Sequence, residues 1–470
     1  MNSFYKFENY IKETNEKFIE VDLQPFLKIP SNSFNKKGIE DAKEFLISYM
    51  SGFCEDIKIH SGDINPLILA WVKGSLKKQL LIYMMYDTQP VDSEKNWLSK
   101  PFGAEISILP PPLDILGNCI IARGAYNSKT PLMCFLNIIK ILKEKGELPI
   151  SLILLIDGEE EIGSPSLHKF IIEKKKLFKN CIDAYYPSAK QDLDGNAVLK
   201  LGYKGILSLR IEVSSYNKET HSAFSTLIPN PALDLISLLN TLYANNEFQI
   251  ESLSRDYEIS TEEKSIIHDL ISKFDFEIVK KKAGIQKTHE KDIHEIINNF
   301  MFKPTFNIST LKSGFLDEGS RNYVPNKAIC KIDIRFAHNI ALNHIFQEIK
   351  EKVDLFSKTV RSDIKISKNV GYEASRIKKE SELVQSLIKS AKVLGVETQI
   401  WPLSAAAAPL SHIQKVLGLN FVAGGLGIGG FAHAPNEFIQ YDSIVNTRLS
   451  NYKFLKIYSR LIKDKIENYV

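Results

Sequence analysis

Acidic residues at the ends of apolar runs, and single histidines beside turns, are the groups in this chain best suited to metal-assisted hydrolysis. QLLIYMMYDTQPVD (79–92) reads as an apolar strand running into a metal-binding turn, with Asp87 two places beyond Met85. Met85 sits where a ligand would be expected, yet its thioether is uncharged and a weak donor to a hard or borderline dication. LLIDGEEEIGSPSL (154–167) ends a strand in Glu159, Glu160 and Glu161. Ser164 and Pro165 then suit a cap and a first helical turn. The ordinary structural use of such acids is to stabilise a helix N-terminus. IIARGAYNSKTPLM (120–133) places Asn127, Ser128 and Lys129 before a helix start at Pro131, a ligand loop beside a helix N-terminus.

Further candidates follow along the chain. DAYYPSAKQ (183–191) is a strand end, and NKETHSAFS (217–225) carries His221 just before a PNPA helix start. SRNYVPNKAICKIDIRF (320–336) holds Asn322 and an alternating strand with Arg335, where a surface arginine is the plain reading. PLSAAAAPLS (402–411) precedes GGLGIGGFAHAPNEF (424–438). In the latter, His433 and Glu437 are four apart, but Pro435 between them argues against a helical ligand pair.

The elements that position these residues fall into two patterns. Helices are expected over 4–20, 38–51, 131–145 and 165–176, and short apolar strands over 67–72, 80–83 and 150–156. Strands alternating with helices indicate an α/β domain with a mostly buried sheet. Near Gly202 the pattern changes: strands at 206–215, 327–337 and 364–374 alternate apolar and polar residues, with helices at 229–246 and 345–356 and a charged helical stretch at 250–304. This describes an inserted α+β sandwich. From Ser381 the first pattern returns. The expected division is 1–204 with 373–470 as one domain and 205–372 as another.

Composition narrows the class. The 470 residues include 44% hydrophobic ones, enough for large cores, and the net charge of +4 comes from 60 basic and 56 acidic residues. That balance does not point to nucleic acid or an acidic membrane. Five scattered cysteines with no CxxC pair suit reduced thiols in a cytosolic protein. The first twenty residues lack the apolar block of a signal peptide, and no apolar run reaches membrane-spanning length.

Taken together, YDTQP, RGAYNSK, DGEEEIGS, THSAFSTLIPNPA and HAPNEF resemble the zinc-dependent aminoacylase, carnosinase and desuccinylase family of metallopeptidases. The match runs through nearly the whole chain and is nearest to the cytosolic dipeptidase branch, which has a long helical insertion in its lid. The resemblance implies an α/β catalytic domain with a mixed, mostly parallel sheet, plus an inserted α+β lid that forms a homodimer. It implies two zinc ions bridged by a carboxylate and a water. One metal would take a His and an Asp that fall here on Met85 and Ala189. The bridging Asp falls on Asn127, and an adjoining acid on Ser128. The other metal's Glu and His match Glu161 and His433, and the general base matches Glu160. Asp87 matches the acid behind the first ligand. His221 matches a residue that reaches across the dimer to polarise the scissile carbonyl, and Arg335 matches the grip on the substrate carboxylate. A Gly-Gly-Ser that shapes the substrate end of the pocket is Ala405, Ala406 and Ala407 here.

These substitutions change the electrostatics. An amide oxygen can ligate one ion, but its nitrogen has no lone pair for a second. Two dications a few ångströms apart need bridging negative charge. The expectation is therefore at most one zinc or other divalent cation, held by Asn127, Glu161 and His433, with weak or altered hydrolysis of a dipeptide or N-acyl amino acid. Asp87, Tyr86, Tyr126 or Glu159 moving in as replacement ligands is the other chemical option. An inactive homologue that binds or regulates as a dimer is the alternative function.

Overall fold

The computed structural model describes residues 2–272, 276, 280, 285–315 and 317–468. They form two compact units. One comprises Met1–Leu201, Ile377–Trp401 and His412–Val470, and the other Gly202–Arg376 with Pro402–Ser411. The segment 402–411, which the sequence places with 373–470, groups with the inserted unit: Lys204 donates its backbone N–H toward the Ser404 and Ala406 carbonyls, both at 3.1 Å.

The first unit is built on a six-stranded mixed sheet. Its strands are β1 (Asp56–His60), β2 (Leu67–Val72), β3 (Leu76–Met85), β4 (Ile150–Asp157), β5 (Cys181–Pro187) and the strand Asn420–Gly424. The order is β1-β2-β4-β3-β5 followed by Asn420–Gly424. β3 runs parallel to both β4 and β5, which parallels Asn420–Gly424; β1 and β2 are antiparallel additions. Every residue of β4 is buried, the continuous apolar run expected of a strand covered on both faces. The parallel strands deliver Met85, Asp157 and Pro187 to one end, so the loops after β3, β4 and β5 share the C-terminal edge where α/β sheets bind ligands.

Helices cover this sheet. Lys129–Glu144 is apolar almost all round and lies against the 26-residue helix Ser443–Asn468. The helix begins at Lys129, two residues before the expected start at Pro131. Lys129 itself faces the interior and not a ligand: its Nζ donates to the carbonyls of Phe26 (3.2 Å) and Ile29 (2.5 Å). Burial lowers its pKa to about 7. The expected helix over 165–176 shrinks to Leu167–Glu173. Ser164 does not cap it: its backbone is left-handed (φ 49°), and its hydroxyl donates to Asp157 Oδ2 at 2.7 Å.

The second unit is a four-stranded antiparallel sheet backed by helices. Its strands are β6 (Gly205–Ser214), β7 (Thr305–Ser313), β8 (Lys327–Phe336) and β9 (Asp363–Tyr372), in the order β7-β8-β6-β9. Buried and half-buried residues alternate along β6, so one face meets the helices Pro231–Leu242 and Leu342–Ser357. Over 250–304 the described helices are Glu251–Ser254, Thr261–Ile271 and Ile293–Phe302, and part of the expected helical stretch lies outside the described residues. Among the described residues, no helix is long and apolar enough to cross a membrane.

Candidate metal centre

The loop after β4 makes a short turn of 3-10 helix over Glu160–Ile162. Its position is set from below by Asp87, just past β3. Asp87 Oδ1 accepts from Glu160 N (3.2 Å), and Oδ2 accepts from Glu161 N (3.1 Å) and Ser33 Oγ (2.8 Å). Asp87 thus acts as a cap for the turn, satisfying N–H groups that the short helix leaves open. Glu159 turns away from the cleft: its carboxylate accepts from the backbone N–H groups of Ile64, Asn65 and Ser166. Tyr86 donates its hydroxyl to the Pro66 carbonyl at 2.9 Å. The Tyr126 ring packs so closely on Gly429 that a Cβ there would lie 2.4 Å from it. Asp87, Glu159 and Tyr86, three of the candidate replacement ligands, thus engage polar groups of the protein itself.

Asn127, Glu161 and His433 do converge. Asn127 Nδ2 lies 2.8 Å from Glu161 Oε1 and 3.1 Å from His433 Nε2, and His433 Nε2 lies 3.1 Å from Glu161 Oε2. These three approaches cannot all be hydrogen bonds. If His433 Nε2 carries a proton for Glu161, it cannot accept from Asn127; if it accepts from Asn127, it carries no proton to offer the carboxylate. Polar groups crowded about 3 Å apart around one point have the spacing of donors that share a small dication, once Asn127 turns its Oδ1 inward. A carboxylate, an imidazole and an amide oxygen fit one cation. Among the described residues, no group of three or more His, Cys, Asp or Glu could hold a metal ion; the third donor beside Glu161 and His433 is the Asn127 amide. At the residues that the resemblance assigns to a second metal, Met85 and Ala189 are both buried, and Ser128 Oγ shares a 3.0 Å hydrogen bond with Tyr186.

The carboxyl groups crowd one another. Burial, followed by the charges of Glu161, Asp87 and Asp157, holds the Glu160 pKa well above the usual carboxylate range, with Lys190 opposing. Asp157, beneath the turn, is pushed up to about 6 by burial despite bonds from Ser164, Glu159 N and Tyr83. His433 is raised, chiefly by its bond to Glu161. Positive charge added beside Glu161 would lower the Glu160 pKa and favour the carboxylate that a base needs.

Several interactions that hold the site have no signal in the local sequence. Gln89 donates to both the carbonyl and Oε2 of Glu161, each at 2.9 Å, fixing that carboxylate. Glu437 is fully buried and anchors the Asn127 loop. Its Oε1 accepts from Asn127 N (2.7 Å) and Tyr126 N (3.1 Å), and Oε2 accepts from Gly124 N (3.1 Å) and Arg123 Nη1 (2.8 Å). Arg123 also donates to the carbonyls of His433 (3.2 Å) and Ala434 (3.3 Å). Phe431, His433 and Asn436 all have left-handed backbones, at φ 57°, 66° and 62°. Such conformations cost on the order of 1 kcal/mol each for residues other than glycine. The Arg123 bonds, and Leu98 N donating to Asn436 Oδ1 at 2.7 Å, hold the loop there. The separation of more than 300 positions between Arg123 and Glu437 hides this pair from any local pattern.

The inserted unit carries the remaining candidates. His221 pairs with Tyr323 in a short two-stranded ladder, and Ser222 N donates to the Asn322 carbonyl at 3.0 Å, so His221 and Asn322 are neighbours. His221 Nδ1 accepts from Ala223 N at 3.2 Å. In the neutral ring the proton then sits on Nε2, which becomes an exposed donor. Arg335 lies on β8 opposite Ile206, with Nε 3.7 Å from Asp333 Oδ1. Lys204, two residues before Ile206, is buried and donates Nζ to the Lys303 carbonyl at 2.7 Å. Burial and then the charges of Arg335 and Arg376 lower its pKa to about 7. Ala406 N donates to Ser404 Oγ at 3.2 Å, which shapes the turn that carries Ala407. Arg335, Lys204 and the 404–407 turn therefore make one cationic region within this unit.

Comparison with known proteins agrees with the architecture. The profile of peptidase family M20/M25/M40 matches residues 81–456. The Cys-Gly metallodipeptidase dug1 of Schizosaccharomyces pombe is 27% identical over 329 residues, 67% of this chain and 66% of that one. The Cys-Gly metallodipeptidase DUG1 of Candida albicans is 24% identical over 90% of this chain and 95% of its own length. The crystal structure of Sso-CP2, an M20 family metallo-carboxypeptidase from Sulfolobus solfataricus, superposes with a TM-score of 0.84. It is 30% identical and covers 93% of this chain and 98% of that one.

Proposed function

Since this chain belongs to peptidase family M20/M25/M40, we propose that it is a hydrolase of small peptides, of the dipeptidase type, working with a single divalent cation. The observation that carries the reading is the convergence of Asn127, Glu161 and His433 beside Glu160. Asn127 Oδ1, Glu161 and His433 would hold the ion, zinc or another divalent cation. Such an ion polarises a carbonyl and makes water more acidic. Glu160 takes a proton from the attacking water and returns it to the leaving amine. His221, with its proton on Nε2, donates to the carbonyl oxygen, and Arg335 binds the substrate carboxylate, with Asn322 and Ala407 lining that end. The named dipeptidase relatives support a dipeptide over an N-acyl amino acid. A homodimer through the inserted unit is supported by exposed apolar residues on one helix, Leu233 and Ile236, and nearby Leu227.

The test is specificity for a free carboxylate. The zinc-loaded protein is expected to hydrolyse dipeptides such as Cys-Gly, and to lose about 10²-fold or more in kcat/KM on their C-terminal amides, since a charged hydrogen-bonded partner goes unpaired. Arg335→Met should raise KM for the free dipeptide and erase that preference. Equal turnover of acid and amide by the unaltered protein would remove Arg335 from the role. Absence of any dipeptide hydrolysis, with metal bound, would leave a binding or regulatory protein.

A further inference from the structure

Three cations meet at one end of the sheet in the inserted unit, and their charge is not balanced there. Lys204, in the link between the short strand Gly202–Tyr203 and β6, is 1% exposed, and among the described residues its ammonium has one acceptor, the Lys303 carbonyl at 2.7 Å. An ammonium carries three donors, so two are left over. The charges that bear on Lys204 are those of Arg335 and then Arg376, both positive. Arg376 Nη2 donates at 3.1 Å to the carbonyl of Ala337, which follows Phe336; Phe336 pairs with Gly205, so Ala337 comes opposite Lys204. Arg335 bears on Lys204 more strongly than this close neighbour. Arg335 is paired with Ile206, so strand alternation puts Arg335, Ile206 and Lys204 on one face. The nearby acids are engaged elsewhere. Asp333 Oδ1 lies 3.7 Å from Arg335 Nε, and its Oδ2 accepts from Asn307 Nδ2 at 2.6 Å. Glu263 Oε1 lies 3.5 Å from Arg376 Nε and accepts from the Tyr257 hydroxyl at 2.9 Å, while Oε2 accepts from Ser260 N at 2.9 Å. His338, next to Ala337, donates Nε2 to the Arg255 carbonyl at 2.8 Å and brings no negative charge. Two carboxylates thus face three cations, and Lys204 is the one with neither.

We infer that Lys204 and Arg335 together bind one small anion, with Arg335 as the outer contact and Lys204 as the inner one. The Arg335 side chain is 35% exposed, so an anion arriving from solvent meets it first. The buried ammonium behind it is costly to keep charged without a counter-ion, and a negative group drawn in beside it relieves that cost. The ligand chemistry is a carboxylate or an inorganic anion of similar size. The carboxylate arm rests on the hydrolase reading: there the anion is the C-terminal carboxylate of the substrate, and Lys204 joins Arg335 in selecting free acids. No bond is made or broken, and one proton moves from solvent to Lys204 Nζ as the anion enters. With the protein's own groups alone, the Lys204 pKa lies at about 7, lowered first by burial and then by Arg335 and Arg376. The amine is therefore mostly neutral at pH 8 and takes up a proton when an anion binds. At pH 6 it is already charged and takes up almost none.

Calorimetric titration of the zinc-loaded full chain tests this, with N-acetylglycine, a carboxylate without a free amine, and separately with sodium chloride. Buffers of different ionisation enthalpy at pH 6 and pH 8 give the protons taken up. About 0.9 proton per bound anion is expected at pH 8 and about 0.1 at pH 6. Lys204→Met should weaken binding about 10-fold and abolish the uptake. Lys204→Arg stays charged at both pH values, so it should hold affinity within about threefold and still abolish the uptake, a pattern that a merely structural lysine would not give. The pH dependence is read on the unaltered protein and decides even where a variant fails to fold. Lys204-dependent uptake with N-acetylglycine alone assigns the site to the substrate carboxylate; with chloride alone, to an inorganic ion; with both in competition, to either. Binding without proton uptake at pH 8, binding unchanged in Lys204→Met, or binding of neither anion would overturn the inference. Lys204-dependent uptake in a protein that hydrolyses no dipeptide would end the hydrolase reading and leave the anion site. Dipeptide turnover without such uptake would do the reverse.

Discussion

Glu160→Gln is expected to lower dipeptide turnover by about 10²- to 10⁴-fold, the range for removal of a positioned general base. Glutamine keeps the shape of the side chain but cannot take a proton. The zinc affinity of the variant should be nearly unchanged, because Glu160 stands beside the Asn127–Glu161–His433 cluster and not within it. Stability should not fall, and should rise slightly at neutral pH. Glu160 is crowded by Glu161, Asp87 and Asp157, so the neutral amide removes one member of a repelling set. Stopped assays with and without zinc, together with thermal unfolding, read all three quantities. Turnover that survives in Glu160→Gln would move the base elsewhere, and a large loss of zinc affinity would make Glu160 a ligand.

The second large effect concerns the Arg123–Glu437 pair. Glu437→Ala leaves the Arg123 guanidinium buried without its anion and strips the acceptor from three backbone N–H groups. Breaking a buried pair from one side costs about 3–5 kcal/mol. The urea midpoint of the unit holding Glu437 should drop accordingly. Because this carboxylate fixes the Asn127 backbone while Arg123 holds the His433 carbonyl, zinc affinity should also fall, by roughly 10- to 100-fold, as for other groups that orient ligands. Glu437→Gln keeps an acceptor oxygen and should recover part of both losses. A Glu437→Ala protein with normal stability and normal zinc affinity would show that the two loops hold themselves.

Much of the fold was legible because its signals are local. The unbroken apolar run of β4 announced a strand buried on both faces, and the alternation along β6 and β8 announced a half-covered antiparallel sheet. The motif order carried the family. What was not legible depended on groups distant in sequence. Ser164-Pro165 has the chemistry of a helix cap, yet Asp157, seven residues earlier, draws the Ser164 hydroxyl inward and the helix starts three residues later. Lys129 looked like a ligand at a helix start, but two carbonyls of the 26–29 segment claim its ammonium. Glu437 was considered only as a partner of His433 on a helix; the left-handed backbone of the loop sends it to the Asn127 turn instead. Tyr86 and Glu159, chemically able to ligate, are spent on backbone hydrogen bonds. The Ser128–Tyr186 hydrogen bond joins a helix start to a strand end 58 positions away, which no local pattern shows.

On the proposed function this cleft holds one divalent cation, because Asn127 cannot bridge two ions and Met85 and Ala189 offer no strong donor to a second. The most direct measurement is the number of zinc ions per chain, by calorimetric titration of chelator-treated protein and elemental analysis after desalting. One equivalent is expected, lost in His433→Ala, and a second equivalent only when Met85→His, Asn127→Asp and Ala189→Asp are introduced together. Two tightly bound ions per chain in the unaltered protein, both with anomalous scattering peaks beside Glu161, would contradict it.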